Sequence, residues 1–583
     1  MHVLATAGHV DHGKSTLVRA LTGMEPDRWA EERRRGMTID LGFAWTALPS
    51  GATVAFVDVP GHERFVPNML AGVGPVPAAM IVVAADEGWM PQSAEHLAAL
   101  HALDVRHGLL VVTRADLADP GPAAARAATE IGATSLGGVE QVAVSGRTGA
   151  GLGELRAALE RLTGRLPEPD PAAPVRLWID RVFTIKGAGT VVTGTLAAGR
   201  LRVGDELDLD GSPVRVRGLH RLGEPADEVA AVARVAVNLR HVAKDRIGRG
   251  AALLTPGRFR RTGLIDVRVH GDPVADLPAT ITLHAGSAAV PAHVRPLGPD
   301  TARLRLDHAL PLRIGDRALL RDPGRRHVAG GVTVLDPDPP ALRRRGAAAT
   351  RATRLAELDG RPDLAGELRR RLLIRGADLA ALGVPLPPMP PLPASPVAGD
   401  WYADPEHWAA LGERLTAEVG DHAREHPLEP GMPVEALRHR LGLPDRALVA
   451  ALVRPPVTLR DGRVSAARTG APDGLVASVD AAFAGLGPFT APEAHALAAH
   501  GLGPRQLGAA VRLGLLIQLA PQVVLLAGAV DRAATTLAAI PQPFTLSEAR
   551  QVLGTTRRVA VPLLELLDRR GVTRRRPDDR RTA

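Results

Sequence analysis

The chain has 583 residues and no cysteine, which excludes disulfide bonds and metal sites built on thiolates. A formal net charge of +8 indicates a polyanionic partner. The sequence holds no run of about 18 uninterrupted apolar residues and no basic leader before its first predicted strand. We therefore expect no membrane span and no signal peptide, and a cytoplasmic protein of several domains.

A phosphate-binding loop follows the first predicted strand. Residues 7–16 read AGHVDHGKST and fit G-x-x-x-x-G-K-[ST], in which backbone N–H groups wrap a phosphate chain, the lysine reaches the outer phosphates and the hydroxyl reaches Mg²⁺. The apolar residues before the loop predict a buried strand, and those after it recur at helical spacing. This context favours a nucleotide site over a chance match. The candidate residues are Gly8, Asp11, His12, Gly13, Lys14, Ser15 and Thr16.

Two later segments supply candidates for metal binding and catalysis. Thr38 lies in a polar loop and is a candidate to join Ser15 on Mg²⁺ when a γ-phosphate is present, although an ordinary surface loop is the alternative. A second predicted strand ends in the sequence DVPGH. There Asp58 can hold Mg²⁺ through water, Gly61 lets its N–H approach the γ-phosphate, and His62 can orient the attacking water.

The following strands alternate with helices, which indicates an α/β domain with a mostly parallel sheet. The fourth and fifth of the five predicted strands end in TRAD and SGR. A carboxylate at Asp116 can accept both N–H donors of guanine's Watson–Crick edge, which adenine does not offer. We therefore predict GTP with Mg²⁺, and ATP is the alternative if Asp116 is incidental. The candidate base-side residues are Thr113, Arg114, Asp116, Ser145 and Gly146.

These motifs, in this order and spacing, resemble those of translational GTPases of the elongation-factor-Tu type. The base motif departs from the usual N-K-x-D, because Thr113 and Arg114 replace asparagine and lysine, whereas Asp116 is retained. A threonine in the first position is itself a feature of the selenocysteine-specific elongation factors. The resemblance implies a GTPase that the ribosome stimulates.

The middle of the chain is rich in short strands. Four prolines between residues 167 and 174 mark a linker, and the alternating strands beyond it indicate a β-barrel. Residues 180–195 resemble the start of the second domain of elongation factor Tu, where the barrel receives the aminoacyl end of the charged tRNA. Arg181 stands where that factor has an acidic residue, and a cationic pocket would suit a selenolate, which is ionised at neutral pH. The candidate pocket residues, each of which could instead be ordinary surface charge, are Asp180, Arg181, His220, Arg240 and Arg246.

The last third of the chain changes to short helices with an internal repeat. PFTAPEA at residues 488–494 recurs as PFTLSEA at 543–549, and both copies predict a capping box, a threonine with glutamate three residues on. Both copies continue as helix, turn, helix and strands, the order of a helix-turn-helix with a wing. Residues 455–464 predict the wing hairpin of an earlier copy, with an Asp-Gly turn. We predict four tandem winged helices.

The final copy is strongly basic. Residues 555–558 open a predicted helix that Gly571 ends, and a run of arginines follows. Arginines at the N-terminus of a recognition helix and on a wing suit phosphate and guanine contacts, although a frayed basic tail is the alternative. The candidate RNA-binding residues are Arg557, Arg558, Arg574, Arg575, Arg576 and Arg580.

Over its whole length the sequence resembles the bacterial selenocysteine-specific elongation factors, the SelB family, through its core, its tandem winged helices and the ending GTTRRVAVPLLELLD. The resemblance implies a monomer that delivers selenocysteinyl-tRNA to the ribosome at UGA codons, releases it on GTP hydrolysis, and binds the selenocysteine-insertion hairpin of the mRNA. A generic aminoacyl-tRNA carrier and a gamma-type initiation factor share the core but leave the C-terminal third unexplained. A nucleotide-gated regulator that binds nucleic acid is a further alternative.

The predicted fold class is thus multidomain: an α/β P-loop GTPase domain, two β-barrels and tandem winged helices. The predicted boundaries are 1–170 for the GTP-binding domain, 171–255 for the barrel that binds aminoacyl-tRNA, 256–337 for the second barrel, and 338–400, 401–467, 468–537 and 538–583 for the winged helices.

Overall fold

The computed structural model describes residues 1–26, 38, 40–62, 65–74, 76–187, 189–386, 396–466 and 470–583. The chain divides into two compact units, Met1–Arg370 with Ile374–Pro390 and Arg371–Leu373 with Pro391–Ala583. None of the helices in the described ranges is both long enough and apolar enough to cross a membrane.

The α/β domain (residues 2–163) is a six-stranded sheet in the order β2-β3-β1-β4-β5-β6, parallel except for β2 at one edge. Val3 and Ala5 of β1 face one apolar core and Leu4 faces the other, because side chains alternate along a strand and helices cover both faces. The predicted, mostly parallel α/β domain is confirmed, whereas the antiparallel edge strand β2 was missed. The strands are β1 His2–Ala7, β2 Gly42–Ala47, β3 Thr53–Asp58, β4 Ala78–Ala84, β5 His107–Thr113 and β6 Glu140–Ala143, and the helices are α1 Lys14–Thr22, α2 Val66–Val73, α3 Pro91–Ala102, α4 Pro120–Gly132 and α5 Leu152–Thr163.

The open β-sheet domain (residues 175–254) follows. Its ladder runs β7-β16-β11-β12-β15-β9-β8, with β13 paired to β12 and a separate pair β10-β14, and the strands enclose one apolar core. The hydrogen-bond ladder does not close on itself among the described residues, so the β-barrel predicted for residues 171–255 is observed as an open sheet. The strands are β7 Arg176–Trp178, β8 Arg181–Ile185, β9 Gly189–Leu196, β10 Arg200–Arg202, β11 Glu206–Leu209, β12 Ser212–Arg221, β13 Glu224–Ala226, β14 Glu228–Ala230, β15 Ala233–Leu239 and β16 Ala252–Leu254.

The closed barrel (residues 261–336) confirms the predicted second barrel. Its strands close in the order β17-β20-β19-β18-β21-β22. The barrel docks on α3 of the α/β domain, where a side chain at Gly331 would overlap the carbonyl oxygen of Ala102 and Arg321 pairs with Glu95 at 3.4 Å. The strands are β17 Arg261–Gly271, β18 Thr280–Ala285, β19 Ala288–Pro296, β20 Thr301–Pro311, β21 Arg317–Asp322 and β22 His327–Asp336.

Three short helices and one strand occupy residues 347–382: α6 Ala347–Ala356, α7 Leu364–Arg371, β23 Leu373–Arg375 and α8 Gly376–Leu382. Helix α6 is fixed to the closed barrel, because buried Arg351 pairs with Asp266 at 2.7 Å and with Asp336 at 2.6 Å. The winged helix expected at 338–400 stays a prediction.

The second unit contains three helix–helix–hairpin modules: α10–α11 with β26–β27, α13–α14 with β28–β29, and α16–α17 with β30–β31. In the first of them Asp461 and Gly462 have φ of 48° and 70°, so the predicted Asp-Gly wing turn is confirmed. The strands are β24 Trp401–Ala403, β25 Met432–Pro433, β26 Val457–Arg460, β27 Arg463–Ala466, β28 Leu516–Ala520, β29 Val523–Leu526, β30 Arg574–Arg575 and β31 Arg581–Thr582, and the helices are α9 Pro405–Glu425, α10 Val434–Leu441, α11 Arg446–Leu452, α12 Asp473–Phe483, α13 Ala494–Ala499, α14 Pro504–Arg512, α15 Ala529–Ala538, α16 Leu546–Val552 and α17 Arg557–Arg569.

One of the two predicted capping boxes is wrong. Thr545 and Glu548 form the box at the start of α16, with the Glu548 N–H donating to the Thr545 hydroxyl at 3.2 Å. In the other copy α13 begins only at Ala494, with Glu493 as its N-cap. The reason is Pro492, because proline disfavours the helical conformation in the residue before it and so keeps Ala491 out of a first turn.

Candidate functional site

The phosphate-binding loop connects β1 to α1 in a conformation that few residues can adopt. Gly8 has φ 141°, and a side chain there would overlap the carbonyl oxygen of Val82 in β4. Gly13 is the N-cap of α1 with φ 79°, so the helix begins at Lys14 and turns its unpaired N–H groups toward the loop. A helix N-terminus with such a loop is a site for anionic phosphate groups.

Helix α3 supports this loop from behind. The N–H of Gly8 donates to His96 Nδ1 at 3.0 Å, and the N–H of Val10 donates to Gln92 Oε1 at 3.3 Å. Burial lowers the pKa of His96 to about 3, so the ring is neutral and Nδ1 can accept. Sequence reasoning missed both residues; their spacing of four on one helix was the available signal.

Neutral buried histidines make this domain sensitive to acid. Burial also lowers the pKa of His12 to about 4, whereas an unfolded histidine titrates near 6.5. Between pH 6.5 and these values the unfolded chain binds protons that the folded chain does not. Stability therefore falls as the pH drops through this window, by about 1.4 kcal/mol per pH unit for each histidine.

In His96→Asn we expect the slope of unfolding free energy against pH to decrease by the contribution of one proton, because asparagine offers an acceptor but does not titrate. The measurement is calorimetric unfolding between pH 6.5 and 4.5, following the transition that the predicted guanine nucleotide shifts. His308→Asn, at an exposed position of the closed barrel, is the control and should keep the wild-type slope. An unchanged slope in His96→Asn would contradict the argument.

The predicted metal residues Ser15, Thr38 and Asp58 lie together. Ser15 Oγ donates to Asp58 Oδ2 at 2.6 Å and lies 2.9 Å from Thr38 Oγ1. Asp58 is fully buried at the end of β3, and this burial raises its pKa. A buried carboxylate next to two hydroxyls is a hard-oxygen donor set that a divalent cation would stabilise, and Mg²⁺ takes few protein ligands when phosphates and water supply the rest. Among the described residues there is no group of three or more histidine or acidic side chains that could hold a metal ion.

The segment after β3 comes very close to the phosphate loop. A methyl group on Gly61 would lie 2.6 Å from the backbone nitrogen of Val10 and 2.5 Å from Lys14 Nζ, so only glycine fits. Lys14 Nζ donates to the carbonyl oxygens of Gly8 and His9 at 2.9 and 2.6 Å. His62 follows directly and is partly exposed, with its ring 6.0 Å from that of Phe65.

A cleft at the ends of β5 and β6 brings the predicted base-side residues together. Thr16, Thr113, Arg114, Asp116 and Gly146 line it, whereas Ser145 lies buried behind it, where its hydroxyl accepts from Thr148. The hydroxyl of Thr113 donates to the carbonyl oxygen of His12 at 2.7 Å, which ties the base strand to the phosphate loop.

Two features of this cleft were missed by sequence reasoning. The guanidinium of Arg114 pairs with Asp86 at 2.8 Å and with Glu87 at 2.7 Å. These ion pairs compensate its charge and hold the side chain in place. Leu117 lines the cleft and is 62% exposed, which offers an apolar surface to a planar base.

A second cavity, of about 230 Å³, lies between the α/β domain and the open β-sheet domain. Arg181, His220 and Arg234 line it together with Phe43 and other apolar residues. Arg234, which sequence reasoning missed, pairs with buried Asp180, and its guanidinium carbon lies 3.8 Å from the centre of the Phe43 ring.

The structure brings only part of the predicted pocket set together. Arg181 and His220 line the cavity and Asp180 anchors Arg234 beside it. Arg240 and Arg246 are exposed and do not line it; Arg246 ends a short 3-10 helix, Lys244–Arg246.

The basic end of the chain is ordered. Strands β30 and β31 pair, and the carbonyl oxygen and N–H of Arg581 bond to the backbone of Phe544 at 2.9 and 2.8 Å, so the frayed-tail alternative is wrong. Arg558 points to the preceding module, where it pairs with Glu493 at 2.5 Å. Arg575 pairs with Asp579 at 2.5 Å. Four of the predicted RNA-binding residues are exposed and have no ion pair within the described part of the chain: Arg557, Arg574, Arg576 and Arg580.

The chain is similar to known proteins over most of its length. Family profiles match for the elongation factor Tu GTP binding domain at residues 1–164, the selenocysteine-specific elongation factor beta-barrel domain at 268–341, and the elongation factor SelB winged helix at 536–582. The selenocysteine-specific elongation factor of Escherichia coli is 36% identical over 487 residues, 77% of this chain and 75% of that protein. That of Desulfomicrobium baculatum is 36% identical over 352 residues, 58% and 56% of the two chains. The crystal structure of a bacterial selenocysteine-specific elongation factor matches all of both chains with a TM-score of 0.77 at 24% identity, which shows the fold.

Proposed function

Because the chain belongs to the family of selenocysteine-specific elongation factors, we propose that its GTP form carries selenocysteinyl-tRNA to ribosomes at UGA codons. In this proposal the last winged helix holds the selenocysteine-insertion hairpin of the mRNA, and GTP hydrolysis on the ribosome releases the tRNA. The protein acts as a monomer in the cytoplasm. The observation that carries the proposal is the cavity with Arg181, His220 and Arg234 beside a GTP-binding domain.

The nucleotide is GTP, held with Mg²⁺. The loop from Gly8 to Thr16 wraps the phosphates, and Asp116 accepts from the guanine edge with Leu117 against the ring. Ser15, Thr38 and Asp58 are the residues that would hold Mg²⁺. When bound there, the ion would neutralise the charge that develops on the phosphate oxygens.

His62 orients the attacking water in this proposal. It follows Gly61, whose backbone lies against the phosphate loop, so its side chain starts beside the outer phosphates. Phosphoryl transfer needs mostly positioning and charge stabilisation, and a side chain that orients water is sufficient. Partial exposure of His62 leaves it within reach of the ribosome, which is the stimulating partner.

The aminoacyl pocket recognises the selenolate by oriented N–H donors more than by net charge. Arg181 pairs with Asp40 and Arg234 pairs with Asp180, so each guanidinium in the cavity is already compensated. A guanidinium held by a carboxylate still presents a fixed planar fork. Serine in place of selenocysteine would offer a neutral hydroxyl, and hydrogen bonds to charged groups are stronger than those to neutral ones.

The test is the binding of the full-length protein, with a non-hydrolysable GTP analogue, to selenocysteinyl-tRNA and to the same tRNA carrying serine. We expect the selenocysteinyl form to bind about 10- to 100-fold more tightly, the worth of one charged hydrogen bond. Arg181→Gln should lose most of this preference. Arg240→Gln, an exposed arginine of the same domain, is the matched control and should keep it. Equal binding of the two tRNAs by the wild type would contradict the proposal.

A further inference from the structure

Asp40 of the α/β domain joins two arginines of the open β-sheet domain. Its Oδ2 accepts from Arg181 Nε at 3.1 Å, and its Oδ1 accepts from Arg249 Nη2 at 3.2 Å. Arg181 also donates to the carbonyl oxygen of Leu41. The carboxylate is three-quarters buried, so it sits inside the domain junction and not on the outer surface.

Arg249 makes a second contact, to the other segment next to the candidate γ-phosphate site. Its Nη1 donates at 2.6 Å to Asn68 Oδ1, on helix α2. That helix follows His62 after a short connection. The side chains of Asp40, Asn68, Arg181 and Arg249 are here called the Asp40 clamp. The clamp joins the residue two positions after Thr38, and the helix after His62, to the open β-sheet domain.

The clamp is continuous with the cavity proposed to take the aminoacyl group. The guanidinium of Arg181 lies 5.0 Å from the centre of the Phe43 ring and that of Arg234 lies 3.8 Å from it. Phe43 lies on β2, three residues after Asp40. A displacement of Asp40 would therefore remove the ion pair that fixes Arg181 beside this ring.

The clamp is also close along the chain to the predicted metal residues. Asp40 is two residues after Thr38, and Thr38 Oγ1 lies 2.9 Å from Ser15 Oγ. Two residues of chain span at most about 7 Å, so Asp40 stays within about 7 Å of Thr38, and a fixed Thr38 restrains where Asp40 can lie. A γ-phosphate that holds Thr38 through Mg²⁺ would hold Asp40 as well.

We propose that Asp40 is the residue through which the bound nucleotide controls the aminoacyl pocket. With GTP, Thr38 fixes Asp40, and Asp40 orients Arg181 toward the cavity; with GDP the clamp opens and Arg181 loses its orientation. Asp40 is thus a positioning residue that touches neither nucleotide nor amino acid. The identity of the pocket's occupant rests on the proposed function, whereas the clamp itself does not.

The first experiment measures the clamp without any tRNA. Hydrogen–deuterium exchange of full-length protein is compared between GDP and a non-hydrolysable GTP analogue. In the wild type, amides of residues 176–185 should exchange at least about threefold more slowly with the GTP analogue, because clamped strands open less often. In Asp40→Ala this difference should vanish, while the peptide with the phosphate loop still responds to nucleotide.

Glu228→Ala is the matched control, because Glu228 also joins two arginines, Arg200 at 2.9 Å and Arg202 at 2.6 Å, on the same domain but away from the junction. It should behave as the wild type. A wild-type response of residues 176–185 in Asp40→Ala, or no response in the wild type, would overturn the clamp.

The second experiment measures the ratio of selenocysteinyl-tRNA affinities in the GTP and GDP forms. Asp40→Ala should lower this ratio at least tenfold with GTP affinity within threefold of the wild type. If exchange loses its nucleotide dependence but the ratio is kept, the clamp does not control the pocket and the proposal fails. If the wild type binds seryl- and selenocysteinyl-tRNA equally, the proposed function fails, and the exchange experiment still decides the clamp.

Discussion

Gly8→Ala will lose at least about 100-fold in affinity for GDP and GTP, because the loop must leave its binding conformation or accept several kcal/mol of strain. The methyl group would overlap the carbonyl oxygen of Val82, in a strand with neighbours on both sides. The φ of 141° is open to glycine and costly for alanine. The same shift would break the bond from the Gly8 N–H to His96.

Gly23→Ala is the matched control for this substitution. Gly23 ends the same helix α1 with φ 72°, and nothing lies within 4 Å of a methyl group there. We expect it to cost about 1 kcal/mol of stability and to leave nucleotide affinity within threefold. Titration with a fluorescent GDP analogue, with circular dichroism as the check on folding, measures both variants. A Gly8→Ala protein that is folded and within tenfold of wild-type affinity would show that the loop does not need this glycine.

The parts of the site that could be predicted from the sequence are those whose geometry is local. The phosphate loop, the D-V-P-G-H turn and the base motif each follow a strand, so spacing alone indicates which residues meet at the ends of parallel strands. Of the observed neighbours, Ser15 and Asp58 come from two such segments, whereas Thr38 comes from the loop before β2. Their assignment to Mg²⁺ stays a prediction.

The contacts that could not be predicted are those between domains. Asp40 meets Arg181 and Arg249 only because β8 and the segment before β16 lie against the residues that precede edge strand β2. No periodic pattern marks such a partner, since a charged residue on an exposed strand edge is usually solvated. Edge strand β2 itself was missed, although the alternation of Phe43 and Trp45 before the turn at Pro49-Ser50-Gly51 was a usable signal.

The module boundary near residue 538 also could not be read from helix periodicity. Phe489 and Leu525 of the preceding module share one apolar core with Phe544 and Leu563 of the last one. Periodicity identifies the apolar face of a helix but not the element that covers it. Deleting the chain from residue 541 would therefore expose apolar side chains of the preceding module, so lost hairpin binding in a truncated protein would not locate the RNA site.

Charge reversal at the surface of the last module tests the RNA site without exposing the shared apolar core. Arg557 is the first residue of α17 and Arg574 lies on β30, and both are exposed. We expect Arg557→Glu with Arg574→Glu to weaken binding of the selenocysteine-insertion hairpin about 100-fold or more, since each contact to phosphate or base is worth 1–3 kcal/mol and the new charges repel phosphate. The magnitude of the slope of log affinity against log salt concentration should decrease by about two, because each arginine accounts for about one phosphate contact.

Arg446→Glu provides the matched control, because Arg446 is the exposed first residue of α11, the equivalent helix of an earlier module. It should change hairpin affinity less than threefold if only the last module binds the hairpin. The measurement is fluorescence anisotropy of the labelled hairpin at 50–300 mM salt, with GDP binding as the check that the α/β domain is intact. An equal loss of hairpin affinity in Arg446→Glu would mean that the earlier module also binds RNA. Wild-type affinity in the double variant would mean that neither arginine faces the hairpin, and the basic hairpin β30–β31 would then serve another polyanion.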